Sequence, residues 1–132
     1  MTPLVIDASA IVELLLTTVV GQSVAAAVAA DQTLHAPELV GVEVVSVLRR
    51  LTRLGEIAAG DAHQALVDFD ALGVELYEHS PLLRRAFELC AAVTAYDAVY
   101  VALAEALNVP LLTCDARLAG SNGHRATVQL VP

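Results

Sequence analysis

The sequence predicts an α/β sandwich built on a central, mainly parallel sheet, and three observations carry that prediction. Short apolar runs that read as buried strands alternate with longer amphipathic or alanine-rich stretches that read as helices. Pro37 and Pro81 stand where helices would begin, while Gly55 and Gly73 stand where they would end. The 132 residues, 57% of them hydrophobic, suffice for one self-sufficient core. Without a linker, repeat or low-complexity tract, residues 1–132 read as a single domain.

Taken in order, Leu4-Val5-Ile6 is a short apolar strand ending at Asp7, and Ser9 caps a helix over roughly residues 10–16. Gly21 breaks that pattern, and residues 22–30 form a second, alanine-rich helix. A third helix runs from Pro37 to Gly55, and Asp61 caps a fourth that Gly73 closes. Val74 to Tyr77 alternates like a strand, Ser80-Pro81 opens a fifth helix, and Thr94 caps a sixth that reaches about Leu107. Leu111 to Cys114 is a buried strand and residues 126–131 the last one. Strands linked by right-handed crossovers pair in parallel, and such sheets bind ligands at the carboxyl ends of their strands. Asp7 and Asp115 stand at those ends.

Composition narrows the chemistry. There are 15 acidic and 7 basic residues, a net charge of −8, and every basic residue is an arginine. Chemistry that needs a lysine, such as a Schiff base or a phosphate-clamping P-loop lysine, is excluded. The charge argues against a generic nucleic-acid coat but not against an enzyme whose excess acid lines a metal pocket. Cys90 and Cys114 lack CxxC spacing and read as reduced core thiols. Nothing at the amino terminus resembles a secretory signal, and the longest uncharged stretch, residues 14–30, falls short of the roughly 20 apolar residues a membrane span needs. A cytoplasmic location and no membrane partner are expected.

The informative residues are acids with apolar neighbours. Glu43 interrupts Leu39-Val40-Gly41-Val42-Glu43-Val44-Val45, and Asp97 interrupts Ala92-Val93-Thr94-Ala95-Tyr96-Asp97-Ala98-Val99. Carboxylates are rarely buried unless paired. An arginine could neutralise one of them, but Asp7, Glu43, Asp97 and Asp115 together point to a divalent cation, and an all-oxygen donor set suits Mg²⁺ or Mn²⁺ rather than structural zinc. Singly, three have local explanations: Asp7 as a strand-end cap, Asp97 at the third position of a helix capped by Thr94, Asp115 in a turn. Glu43 has none.

These residues also carry a resemblance. Val5-Ile6-Asp7-Ala8-Ser9-Ala10, Ala36-Pro37-Glu38 with Glu43-Val44 and Ser46-Val47-Leu48-Arg49-Arg50, then Ala95-Tyr96-Asp97-Ala98-Val99-Tyr100-Val101-Ala102-Leu103-Ala104, and finally Leu111-Leu112-Thr113-Cys114-Asp115-Ala116-Arg117-Leu118 follow one another over almost the whole chain. In that order and spacing the chain resembles the PIN-domain family, specifically the VapC-type toxins of toxin–antitoxin pairs. The resemblance implies a PIN-like three-layer α/β/α sandwich and a Mg²⁺- or Mn²⁺-dependent endoribonuclease. It places the acidic quartet on Asp7, Glu43, Asp97 and Asp115, with Asp97 and Asp7 as the main metal ligands. It makes Ser9 and Thr113 hydroxyls that orient carboxylates or water, and it implies a VapB-type antitoxin, in a homodimer or a toxin–antitoxin hetero-oligomer.

Substrate contact falls to arginine, with Arg49, Arg50 and Arg117 as the candidates for RNA and Arg84-Arg85 as further charge. Tyr96 is expected to pack rather than stack on a base, Glu38 to decorate the first turn of its helix, and Glu13 to face a partner. His35, His63, His79 and His124 share no spacing and are not assigned to catalysis. An aspartyl-nucleophile phosphatase would need a second Asp where Ser9 stands. The alternative function is a catalytically silent module that holds a basic peptide or RNA in its acidic pocket. Residues 10–30, apolar with almost no charge, are the candidate antitoxin-binding groove, and the later helices a candidate dimer surface.

Overall fold

The computed structural model describes residues 2–28 and 31–132. β1 (Thr2–Ile6) leads into α1 (Ala8–Leu15) and α2 (Val19–Ala27), and β2 (Gln32–Pro37) into α3 (Leu39–Arg53) and α4 (Ala59–Ala71). β3 (Glu75–Tyr77) leads through a 3₁₀ turn at Ser80–Leu82 into α5 (Leu83–Leu89) and α6 (Ala95–Leu107). β4 (Leu111–Thr113), α7 (Ala116–Ala119) and β5 (Val128–Leu130) complete the chain.

The strands form one five-stranded parallel sheet in the order β3-β2-β1-β4-β5. The chain winds outward from β1 to β3, then crosses back over β1 to lay down β4 and β5. The β1–β4 junction is therefore the switch point at which α/β sheets gather ligands. Val5 pairs with Leu111 and Ile6 with Leu112, and the Asp7 N–H donates to the Leu112 carbonyl at 3.2 Å. That register brings Asp7 out of the sheet beside Thr113. α1 packs against α2, α3 and α4, whereas α6 packs against α5 and against β1, β2 and β4. Helices thus cover both faces, and Leu4, Val5, Ile6, Leu111 and Leu112 are buried as a continuous apolar layer. Every residue of α6 from Ala98 to Ala104 is buried as well, so the middle of this helix is enclosed on all sides.

Several elements differ from the sequence-based expectation. No strand is expected between the second and third helices, yet β2 occupies residues 32–37, and α3 begins at Leu39 rather than Pro37. The polar β2 is stable in a sheet because His35, 8% exposed, satisfies both ring nitrogens: Nε2 meets Thr33 Oγ1 and Nδ1 meets Tyr77 Oη, each at 2.8 Å. Gly21 does not break a helix but lies in the first turn of α2, where its N–H donates to the Thr18 cap at 2.9 Å. Of the second helix expected at residues 22–30, Ala29 and Ala30 lie outside the described residues. Asp7, not Ser9, caps α1, accepting from the Ala10 N–H at 3.0 Å. Asp61 sits in the first turn of α4, and its carboxylate accepts the Ala58 N–H at 3.4 Å. The short α7 is an addition to the expected elements.

One buried acid holds the second helical layer together. Glu105 of α6 accepts from Arg85 of α5 through Nε at 2.7 Å and a terminal nitrogen at 3.1 Å, and from the Arg125 N–H at 2.7 Å. The Arg85 hydrogen bond, above all, lowers its pKa from 4.5 to about 2. A depressed carboxylate contributes stability that is complete above its unfolded value and lost as pH falls toward the folded one. Acid unfolding is therefore expected to steepen between about pH 4.5 and 2. Thermal melts of Glu105→Gln should show a lower Tm at neutral pH and a shallower decline across that window. An unchanged acid limb would remove Glu105 from the account.

Candidate active site

Three helix starts and two strand ends meet at the switch point. Asp7 ends β1 and is buried at 6% exposure. Its Oδ1 accepts from Ser9 Oγ at 2.6 Å and from the Ala10 N–H, and its Oδ2 accepts from Thr113 Oγ1 at 2.5 Å. Ser9 Oγ in turn accepts the Cys114 N–H at 3.1 Å, and Thr113 Oγ1 accepts the Asp115 N–H at 3.0 Å. Ser9 and Thr113 thus tie the α1 start to the β4 end through one carboxylate.

Glu43 projects from the second turn of α3, half-buried. Its Oε1 accepts from the hydroxyl of Tyr100, 2.6 Å away on α6. Tyr100 is buried (1% exposed), and the burial of its ring, reinforced by Glu43, pushes its hydroxyl far above the usual phenol range. It remains a neutral donor at any working pH. Sequence reading did not single out Tyr100 in the site; its signal is the three-residue step from Asp97, which puts both side chains near one face of α6.

Asp97 occupies the third position of α6, and its N–H donates to the Thr94 cap at 3.2 Å. Asp115 caps α7, its Oδ1 accepting from the Arg117 N–H at 2.9 Å. The local roles of Asp7, Asp97 and Asp115 are real, and they are how the fold aims three acids at one place. Burial raises the pKa of Asp7, Glu43 and Asp97, and their like charges add to it. Asp97 raises both Asp7 and Glu43, while Asp115 raises Asp97. These acids feel one another across the site. The only side-chain cation against them is Arg117, 3.2 Å from Asp115 Oδ2 and 3.7 Å from Asp97 Oδ2 among the described residues.

Among those residues no three acidic, histidine or cysteine side chains converge tightly enough to enclose a cation by themselves. The donor set nevertheless fits a hard divalent ion: every donor is oxygen, and Mg²⁺ keeps several waters while taking one or two carboxylates. Burial is the largest cause of the raised pKa values of Asp7, Glu43 and Asp97, and a neighbouring carboxylate adds to each.

The other predicted residues fall into two groups. Arg50, with Ser9, Glu13 and Asp115, lines a groove of about 500 Å³ beside the acids, between α1, α3 and the α7 start. Arg49 lines a different depression, between α3 and α4, with His63 and Leu66. Glu13 accepts a hydrogen bond from the Thr18 hydroxyl, which fixes it at the rim of the first groove. Tyr96 is 68% exposed rather than packed. Cys90 and Cys114 are free thiols, but Cys90 is exposed rather than in the core, while burial, helped by Asp7 and Glu13, pushes Cys114 up to about 11. His35 braces β2, and His79 accepts the Leu39 N–H at 2.9 Å at the start of α3.

Interacting carboxylates at the switch point of a parallel sheet stand where proteins of the α/β class bind their ligands. The model of the PIN domain matches residues 4–120. Ribonuclease VapC12 of Mycobacterium tuberculosis is 43% identical over 128 residues, covering 97% of this chain and 98% of the relative. VapC ribonuclease Mb0985 of Mycobacterium bovis is 41% identical, covering 98% of each. VapBC2 from Rickettsia felis, solved bound to a DNA fragment from its promoter, superposes with a TM-score of 0.68 at 12% identity over 98% of each chain. The chain belongs to the PIN-domain family and, within it, to the VapC toxins of toxin–antitoxin systems.

Removing the Tyr100 hydroxyl should separate orientation from charge. Tyr100→Phe leaves the core filled but frees one Glu43 oxygen, and loss of such an orienting partner costs roughly 10–100-fold in activity or metal affinity. Folding should survive with a loss near 1 kcal/mol. Cleavage rates and melts of the same preparation check this, and full activity would show that Glu43 needs no brace.

Proposed function

We propose that the protein is an endoribonuclease toxin that hydrolyses RNA phosphodiester bonds with Mg²⁺ or Mn²⁺ held at Asp7, Glu43, Asp97 and Asp115. The observation that carries this reading is the gathering of buried Asp7 and half-buried Glu43 and Asp97 at the switch point, with one exposed arginine, Arg117, against Asp97 and Asp115. Family membership supports the reaction class, since the relatives at 43% and 41% identity are named ribonucleases. When bound, the ion supplies Lewis-acid activation and neutralises charge on the phosphate.

The chain's own residues do the rest. Asp97 and Asp7 would hold the ion, Asp7 in a fixed orientation because its two oxygens accept from Ser9, Ala10 and Thr113. Glu43 and Asp115 would complete the site. Tyr100 holds one Glu43 oxygen, and the other is left to take the proton of the attacking water, which the elevated pKa of Glu43 favours. The water oxygen bonds to phosphorus as the P–O3′ bond breaks, and solvent water protonates the departing 3′ oxygen. Arg50 and Arg117 bind backbone phosphates, with Arg49 further out along α3.

The antitoxin partner docks in the groove where α1 and its C-cap offer Val12 and Leu16 and α3 offers Val47 and Leu51, which narrows the groove expected at residues 10–30. Glu13, Glu56 and Asp115 along it suit a basic segment of that partner. Leu83 and Phe87, exposed at 56% and 82% one turn apart on α5, provide the surface for self-association. The protein acts in the cytoplasm. The test is RNA cleavage by the purified protein with Mg²⁺ or Mn²⁺, suppressed by EDTA. Cleavage indifferent to EDTA removes the metal, and RNA binding without cleavage under either condition favours a silent binding module.

A further inference from the structure

Arg117 is the side-chain cation already paired with this site's acids. It sits two residues past Asp115, with its side chain 76% exposed, and reaches back over carboxylates that are themselves only 31% (Asp115) and 22% (Asp97) exposed. One terminal nitrogen serves both, at 3.2 Å from Asp115 and 3.7 Å from Asp97. It also lowers the pKa of Asp97 against the opposite push from Asp115. A depression of about 380 Å³ lined by Thr94, Asp97 and Arg117 opens on one side, and Asp115 lines the α1–α3 groove on the other.

A surface ion pair of this kind contributes little to stability, so the fold does not require it. What it does is neutralise the like-charged Asp97–Asp115 pair before any ion arrives. A guanidinium stays protonated at every working pH, so only displacement removes it. A divalent cation and the guanidinium seek the same carboxylate oxygens, and both cannot sit between them.

We propose that Arg117 is a built-in counter-cation that competes with the divalent ion for Asp97 and Asp115, so that metal loading requires the guanidinium to swing out into solvent. This rests on the metal-site reading above. It makes Arg117 a positioning residue for the Asp97–Asp115 pair, and the displaced side chain becomes free to meet a phosphate, for which its planar fork is suited.

The test is calorimetric titration of Mn²⁺ into the metal-free full-length wild type, Arg117→Gln, Arg117→Lys and Asp97→Asn proteins. Losing one positive charge at this distance should tighten Mn²⁺ binding by roughly three- to tenfold in Arg117→Gln at low ionic strength, and added salt should shrink the difference. Arg117→Lys, which restores the charge, should return the affinity toward wild type. Because Arg117 is exposed, all variants should fold, and a melt of each confirms it. Unchanged or weaker Mn²⁺ binding in Arg117→Gln overturns the counter-cation role while leaving the metal site standing. Saturable binding absent from the wild type, or retained in full by Asp97→Asn, overturns the metal site and the counter-cation role together.

Discussion

Asp97→Asn is expected to lower RNA cleavage by at least about two to three orders of magnitude, roughly 3–4 kcal/mol of barrier. The substitution preserves size, and the backbone N–H that donates to Thr94 is untouched, so the start of α6 should hold. What disappears is the one charge that raises both Asp7 and Glu43. The metal-free variant should therefore melt at or above the wild-type temperature, because the site loses repulsion. The wild type, in turn, should gain Tm on addition of millimolar Mg²⁺ or Mn²⁺, through preferential binding to the folded state, and Asp97→Asn should gain far less. The combination of lost activity, retained fold and lost metal response distinguishes a ligand from a structural acid. A variant that cleaves at near wild-type rate removes Asp97 from the reaction.

The site was legible from sequence where chemistry and hydropathy conflict. Glu43 and Asp97 are acids in apolar helices, and that conflict is visible in one dimension. Both prove half-buried, and both interact with Asp7. The switch point was legible because strand ends follow from apolar runs at residues 4–6 and 111–114, and β1 and β4 do lie side by side. β2 was not legible, since Gln32, Thr33 and His35 break any apolar pattern. Its stability comes from His35 bonding to Thr33 and to Tyr77, and the second of those partners is 42 residues away. Tyr100 was missed for a related reason. An aromatic in a buried helix reads as core, and only its contact with Glu43 from another element reveals that its hydroxyl has a task. Gly21 was misread because glycine signals a break when only local propensity is considered. Here it answers a steric demand from α1, which no local window contains.

That demand gives the largest expected effect on stability. A Cβ at Gly21 would lie 1.9 Å from the carbonyl oxygen of Glu13 and 2.6 Å from its carbon, both backbone atoms of α1. No rotamer change relieves an overlap with backbone, so α1 and α2, which meet at 112°, would have to separate. The same junction holds the Thr18 cap, whose N–H lies 3.4 Å from that Glu13 carbonyl. Gly21→Ala should therefore cost about 3 kcal/mol or more, at the upper end of overpacking effects. For a chain of this length that corresponds to a fall in Tm of roughly 10 °C or more. Gly60→Ala is the matched control. Gly60 lies in the first turn of α4 with nothing within 4 Å of an added Cβ, so alanine should be neutral or stabilise by up to about 1 kcal/mol. The two substitutions make the same chemical change in helical glycines and should move Tm in different directions. Because α1 also carries Ser9 and starts at Asp7, a displaced α1 should lower activity in Gly21→Ala beyond what its unfolded fraction explains. Melting temperatures within a degree of each other would mean that the α1–α2 junction opens freely, and that its close approach contributes nothing to the fold.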